Sequence, residues 1–234
     1  MKILVICSGG LDSVTLAYKI AKEHDLMGLI SFDYGQKHKK ELAYAEKCAK
    51  ALNVSYDMID ISTVGGLLSG SALTEDGIDV PDGHYAEDSM KLTIVPNRNA
   101  IMLSIAYGIA SARGADAVAT AVHGGDHFIY PDCRPDFINT FQTMQDHALG
   151  EHIRLYTPFI DIPKSEIAAQ TAPLNVPVID TWSCYKGGDI HCGRCGTCVE
   201  RIEAFHIAKV ADPTQYADPD FWIKTTQNTK TETA

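Results

Sequence analysis

Two short stretches of this chain carry residue types whose spacing can do chemistry. The first is CSGGLDSVT at residues 7–15, which follows an apolar run and opens a helical pattern. In Ser8-Gly9-Gly10-Leu11-Asp12-Ser13 the glycines let the backbone approach an anion closely, while first-turn amides and the helix dipole point at it. Ser8 and Ser13 add hydroxyl donors, and Asp12 is placed to help hold Mg²⁺ on phosphates. A plain tight turn with Ser or Asp as N-cap would explain a bare glycine pair. Both serines and the aspartate directly after a strand favour the anion site. The Walker pattern G-x-x-x-x-G-K-[ST] is absent, and so is the dinucleotide fingerprint G-x-G-x-x-G.

The second stretch is CYKGGDIHCGRCGTC, in which Cys184, Cys192, Cys195 and Cys198 give C-x7-C-x2-C-x2-C. Four thiolates at this spacing suit a closed tetrahedral Zn²⁺ site that is structural, with no open position for catalysis. A thioredoxin-type pair would need only two cysteines, and an iron–sulfur cluster uses similar ligands. His191 is adjacent to Cys192, and neighbouring residues rarely share one tetrahedron. Cys7, Cys48 and Cys133 are scattered.

Two further segments concentrate polar groups. In VPNRNAIMLSIA, Arg98 falls at a helix start, where its charge gains nothing from the dipole, so a phosphate or a substrate carboxylate competes with a surface ion pair as its partner. HGGDHFIYPDCRPDF brings His123, Asp126, His127, Tyr130, Asp132, Cys133 and Arg134 into one loop after a strand. Such a loop suits a flat heterocycle bearing a carboxylate. Gly124 and Gly125 argue against a helix that would align His123 with His127 on a metal. Cys133 has no visible base and reads as a bystander.

The elements that must position these groups alternate between strand and helix. Strands are expected at 2–7, 26–32, 54–60, 116–122 and 153–157. Helices are expected at 12–23, 38–52, 98–113, 135–149 and 164–172. This rhythm predicts an α/β fold with a doubly wound, mostly parallel sheet. Residues 62–92, rich in glycine and acids, interrupt it and read as a lid or mobile loop. The polar end TTQNTKTETA reads as frayed. The simplest partition is an α/β domain over 1–180 and a C-terminal helical metal module over 181–234 packed on the same domain.

Composition narrows the function. The chain is 45% hydrophobic, with a formal net charge of −10. Its one dense basic stretch, Lys37-His38-Lys39-Lys40, is followed by Glu41. Nucleic acid is therefore disfavoured as a partner and a small molecule preferred. No run is long enough to span a bilayer, and the apolar start is too short for a secretion signal, so a cytoplasmic protein without membrane contact is expected.

SGGLDS at 8–13, FDYGQKH at 32–38, VPNRN at 95–99, YPDCRP at 130–135 and the four-cysteine segment together resemble the 7-cyano-7-deazaguanine synthase family of PP-loop ATP pyrophosphatases. The resemblance implies an adenine nucleotide alpha-hydrolase-like fold and an ATP-dependent C–N ligase of queuosine biosynthesis. That enzyme adenylates 7-carboxy-7-deazaguanine, lets ammonia displace AMP, then adenylates the amide and releases the nitrile, preQ0. It implies that residues Ser8, Gly9, Gly10, Leu11, Asp12, Ser13, Val14, Thr15, Leu16 and Ala17 hold ATP. Asp12, Ser13 and Arg98 would be catalytic, and Asp126, Tyr130, Asp132 and Arg134 would hold substrate. The four cysteines would bind one Zn²⁺, Mg²⁺ would accompany ATP, and a homodimer is common among relatives. HGGDHFI replaces the commoner N-x-E-D-x-S-G, and VPNRN replaces VPGRN. A relative that stops at the amide or transfers the deazaguanine, and a tRNA-thiolating PP-loop enzyme, are the alternatives.

Overall fold

The computed structural model describes residues 1–225, and of the polar terminal stretch all but Thr225 lies outside the described residues. Five strands form one parallel sheet: β1 (Lys2–Ile6), β2 (Asp25–Asp33), β3 (Ser55–Asp60), β4 (Ala117–Ala119) and β5 (Arg154–Tyr156). Their order is β3-β2-β1-β4-β5. The chain thus winds outward from β1 through β2 to β3, then returns to place β4 on the other side of β1. In such a sheet the crevice for ligands opens at the carboxyl ends of the strands where the winding reverses, here between β1 and β4.

Alternation along β1 sends Ile3 and Val5 to one face and Leu4 to the other, each essentially fully buried. The first face packs α1 (Leu11–Glu23), α2 (Lys40–Leu52), α6 (Lys164–Gln170) and α7 (Gly196–Ala208) around Leu16, Ile20, Phe159 and Phe205. The second packs α4 (Arg98–Arg113) and α5 (Pro135–Leu149) around Ile30, Leu103, Tyr107 and Phe141. Pro135 at the first position of α5 fits because its missing N–H has no intrahelical acceptor there.

Some boundaries differ from the sequence expectation for local reasons. The helix expected from 38 starts at Lys40, because Lys37 is anchored elsewhere. Its amide donates to the Leu73 carbonyl at 2.8 Å and its ammonium to those of Glu75 and Ile78. The strand expected over 116–122 pairs only through Ala117–Ala119; Thr120, Ala121 and Val122 turn out to line a cavity.

Residues 62–92 are the larger surprise. They contain the short helix α3 (Ser62–Gly65), and a 3₁₀ turn follows at Asp88–Thr93. Ala72, Leu73 and Val80, with Val95, pack into a third core against Trp182, Cys184, Cys195 and Cys198. Packing seats this segment as a wall against the cysteine-rich region, and its Tyr85 and Met90 line the same cavity. The cysteine region is equally tied to the main body, since α7 places Ala204 and Phe205 in the first core. Arg201, fully buried, donates to Thr181, Ser183, Val178 and Thr214 and pairs with Asp212.

Candidate functional site

At the carboxyl ends of β1, β2 and β4 lies one deep cleft, enclosing roughly 1450 Å³ with open solvent included. Its floor is the glycine loop. Gly9 has φ +86°, and a β-carbon there would strike the Glu41 carbonyl oxygen and the Ala45 amide. Only glycine lets the loop lie on α2 this closely. The Trp182 amide donates to the Gly9 carbonyl at 2.9 Å, so the cysteine region braces the loop from its other side. The Ser13 hydroxyl sits 3.2 Å from both the Ser8 amide and the Ser8 hydroxyl.

Of the ten residues expected to hold ATP, Ser8, Gly10, Asp12 and Ser13 line the cleft. The helical pitch of α1 turns Leu11, Val14, Leu16 and Ala17 into the core. The Thr15 hydroxyl caps the Leu11 carbonyl at 2.7 Å instead. The cleft-facing part of 8–17 is therefore Ser8, Gly10, Asp12 and Ser13.

Beside the loop is a buried charged cluster that sequence reasoning missed. The Lys164 ammonium, at the start of α6, lies 2.8 Å from Asp12 Oδ2 and 2.9 Å from Glu200 Oε2. Burial alone would lower the Lys164 pKa, but the two carboxylates outweigh it and hold the lysine charged. Asp12 is held below the usual carboxylate range against the opposing effect of burial, chiefly by Lys164. Asp12 Oδ1 is buried with no hydrogen bond among the described residues. His123 Nδ1 accepts from the Gly125 amide at 3.1 Å, and its Nε2 lies 3.7–3.9 Å from Asp12, Asp126 and Glu200. Burial pushes the Asp126 carboxyl up, with Glu200 adding to the rise and His123 opposing it. Lys164 bears the same signature as Arg98, a cation in the first turn of a helix where the dipole does not favour it. That signal would have found it.

The other end of the cleft is aromatic. The Arg98 guanidinium stands 5.7 Å from the Tyr34 ring centroid and 6.0 Å from that of Tyr130, and Tyr185 completes the wall. No carboxylate lies within 4.0 Å of Arg98 among the described residues, so its cation is met only by ring faces and hydroxyls. Burial pushes the Tyr34 hydroxyl up to about 12, so it remains a neutral donor. The Tyr130 hydroxyl is 2.7 Å from that of Thr93, tying the Asp88–Thr93 turn to the loop that follows β4.

That loop places its expected binding residues unequally. Tyr130 and Asp126 line the cleft. Asp132 instead caps α4, accepting from the Asn99 amide at 3.0 Å, and exposed Arg134 donates to the His127 carbonyl at 3.0 Å. Both serve the shape of the loop. Cys133 is buried, its thiol is pushed up by burial, and it accepts from the Asn99 side-chain amide at 3.2 Å. Burial thus disfavours the thiolate, the nucleophilic form, although Cys133 lines the cleft.

The four cysteine sulfurs of 184, 192, 195 and 198 lie within 4.8 Å of one another, and Cys192 Sγ is 3.9 Å from Cys198 Sγ. Four thiolates at about 2.3 Å from one metal ion stand about 3.8 Å apart, so a single ion fits the cage. A multi-iron cluster needs room for its own sulfides between the ligands. Hydrogen bonds from the three neighbouring thiols, aided by the Arg194 amide, hold Cys192 far below the ordinary thiol value. Gly193, at φ +76°, lets this turn lie directly on the Asp218 carbonyl. The residues present thus fit a bound metal.

The geometry can be set beside known proteins. A family model described as "Queuosine biosynthesis protein QueC" matches residues 2–209. A 7-cyano-7-deazaguanine synthase of Ruegeria pomeroyi is 68% identical over 224 residues, covering 95% of this chain and 97% of that protein. One from Sinorhizobium fredii is 64% identical over 228 residues, covering 97% of this chain and 96% of the relative. The solved structure of an NMN synthetase from Francisella tularensis has a TM-score of 0.52 at 12% identity, over 97% of this chain and 85% of that one. The last is a likeness of fold alone.

Proposed function

This chain belongs to the QueC family of queuosine biosynthesis proteins, and on that premise we propose that it converts 7-carboxy-7-deazaguanine, ammonia and ATP into 7-cyano-7-deazaguanine. One observation carries the reading: a single cleft joins a phosphate loop backed by Lys164 to an aromatic wall around an Arg98 that has no carboxylate partner. The first end suits pyrophosphate and the second a flat acid.

The chemistry follows from that arrangement. The substrate carboxylate, held by Arg98, attacks the α-phosphorus of ATP. Charge accumulates on the departing pyrophosphate, where the amides after Ser8, the Ser8 and Ser13 hydroxyls and Lys164 stabilise it. Ammonia then attacks the acyl carbon and AMP leaves, giving the amide. In a second round the amide oxygen attacks a fresh ATP. AMP departs with that oxygen while the nitrogen gives up both protons, leaving the nitrile. Consumption of ATP thus turns the poor leaving oxygen of an amide into a good one.

Mg²⁺ on the phosphates would find Asp12 Oδ1 as its protein ligand, an acceptor that has no other partner, and would supply charge neutralisation. Zn²⁺ in the Cys184, Cys192, Cys195 and Cys198 cage would be structural, because all four positions are filled by protein. Among the described residues no helix is long and apolar enough to cross a membrane.

Incubation with ATP, ammonia and 7-carboxy-7-deazaguanine, followed by mass spectrometry, tests the proposal. Appearance of the nitrile mass with AMP and pyrophosphate is the expected result. ADP formation, or an unconsumed base, would overturn it, and accumulation of amide as the final product would assign the shorter reaction.

A further inference from the structure

Glu41 has no part in the reaction as described, yet it lines the same cleft as Arg98. It sits in the first turn of α2. Its Oε1 accepts a long hydrogen bond, 3.4 Å, from the Gln36 side chain, and its Oε2 has no hydrogen bond among the described residues. Gln36 is 4% exposed and is itself fixed, donating to the Phe32 carbonyl and accepting from the Tyr34 amide at 2.9 Å. One buried amide thus orients both the Glu41 carboxyl and the start of the aromatic wall. Glu41 and Arg98 influence one another but do not form an ion pair within 4.0 Å. Two opposite charges facing one cavity without pairing, each short of a partner, describe a ligand with an anion at one end and N–H donors at the other.

We propose that Glu41 reads the N1–H and 2-amino edge of the base, as the opposite pole to the Arg98 that holds its carboxylate. This rests on the functional reading above and names its specificity determinant. An ionised carboxylate is an acceptor only, with two oxygens set to take two parallel N–H donors. A 2-amino-4-oxopyrimidine presents such a pair on its six-membered ring, while the carboxylate of the substrate is borne by the fused five-membered ring. The poles must therefore stand apart across a bicycle, with rings such as Tyr34 covering its face. Burial pushes the Glu41 carboxyl up to about 7, with Arg98 and Gln36 opposing the rise. Two N–H donors on the charged form would lower it again. A base lacking the 2-amino group leaves one carboxylate oxygen desolvated and unpaired, which disfavours its binding.

The test compares 7-carboxy-7-deazaguanine with its analogue lacking the 2-amino group, on wild type and on Glu41→Gln, with KM for base and for ATP measured separately. On wild type the analogue should raise the base KM on the order of tenfold to a hundredfold, the worth of one charge-assisted hydrogen bond. Glu41→Gln should raise the KM for the full base by a similar factor, shrink the gap between the two bases, and leave the KM for ATP unchanged. An analogue used by wild type with unchanged KM overturns the assignment, whether or not the variant folds. So does a variant whose defect lies in the ATP KM. A wild type that consumes neither base overturns the functional reading, and this proposal falls with it.

Discussion

Removal of Lys164 should cost the fold measurable stability. The residue is 7% exposed and stands between Asp12 and Glu200. Lys164→Met leaves buried Glu200 and half-buried Asp12 without their shared cation, with an expected loss of about 3 kcal/mol in urea unfolding. The double variant Lys164→Met, Glu200→Gln should recover part of that loss without recovering activity, because the phosphate-facing charge stays absent. Recovery of both would show that Lys164 only fills space. At this scale the sequence was legible where chemistry is local. Ser8, Asp12, Ser13 and the four cysteines are contiguous motifs whose spacing carries their meaning. Glu41 and Glu200 were not legible, because each is an ordinary charged residue on its own helix and only the winding of the sheet brings them to one cleft. Asp132 and Arg134 erred the other way. They have the right types in the right loop, but Asp132 caps α4 and Arg134 holds the loop's own carbonyl.

The element that matters most beyond the sheet is α2, which underlies the glycine loop and carries Glu41. Gly9→Ala should disturb both at once. The residue would be strained at φ +86°, and its new carbon would have to displace the Glu41 carbonyl or the Ala45 amide. Shifting a positioning backbone by about 1 Å costs on the order of a hundredfold in kcat/KM. The expected outcome is a loss of that order for ATP and base alike, with the circular dichroism of the folded state kept; unchanged kinetics would show that the loop tolerates the displacement. Strand and helix order could be read from hydrophobic period alone, since the central strands and long helices are strongly patterned. The segment 62–92 could not. Its apolar residues are few and far apart, and they meet Tyr34 and Tyr44 on one side and Trp182 and the cysteine turn, more than eighty residues later, on the other.

Seen whole, the described residues form three cores, and the third is shared between the 62–95 excursion and the cysteine cage. The same cage neighbourhood contributes Trp182, Tyr185, Gly196 and Thr197 to the cleft. Removing the metal with a chelator should therefore lower thermal stability and raise hydrogen exchange in 71–95 and 181–200 together, with β1 and α4 remaining protected. Uniform protection after metal loss would separate the cage from the cleft. The close seat of Gly9 on α2 has a consequence of a different kind, for the history open to this chain. Gly9 lies against the backbone of positions 41 and 45, and Glu41 also lines the cleft. A lineage cannot retune its hold on the nucleotide at position 9 without moving the residue that inspects the other substrate. A substitution at position 9 should therefore alter nucleotide grip and base choice together, so that the two are inherited as a single trait.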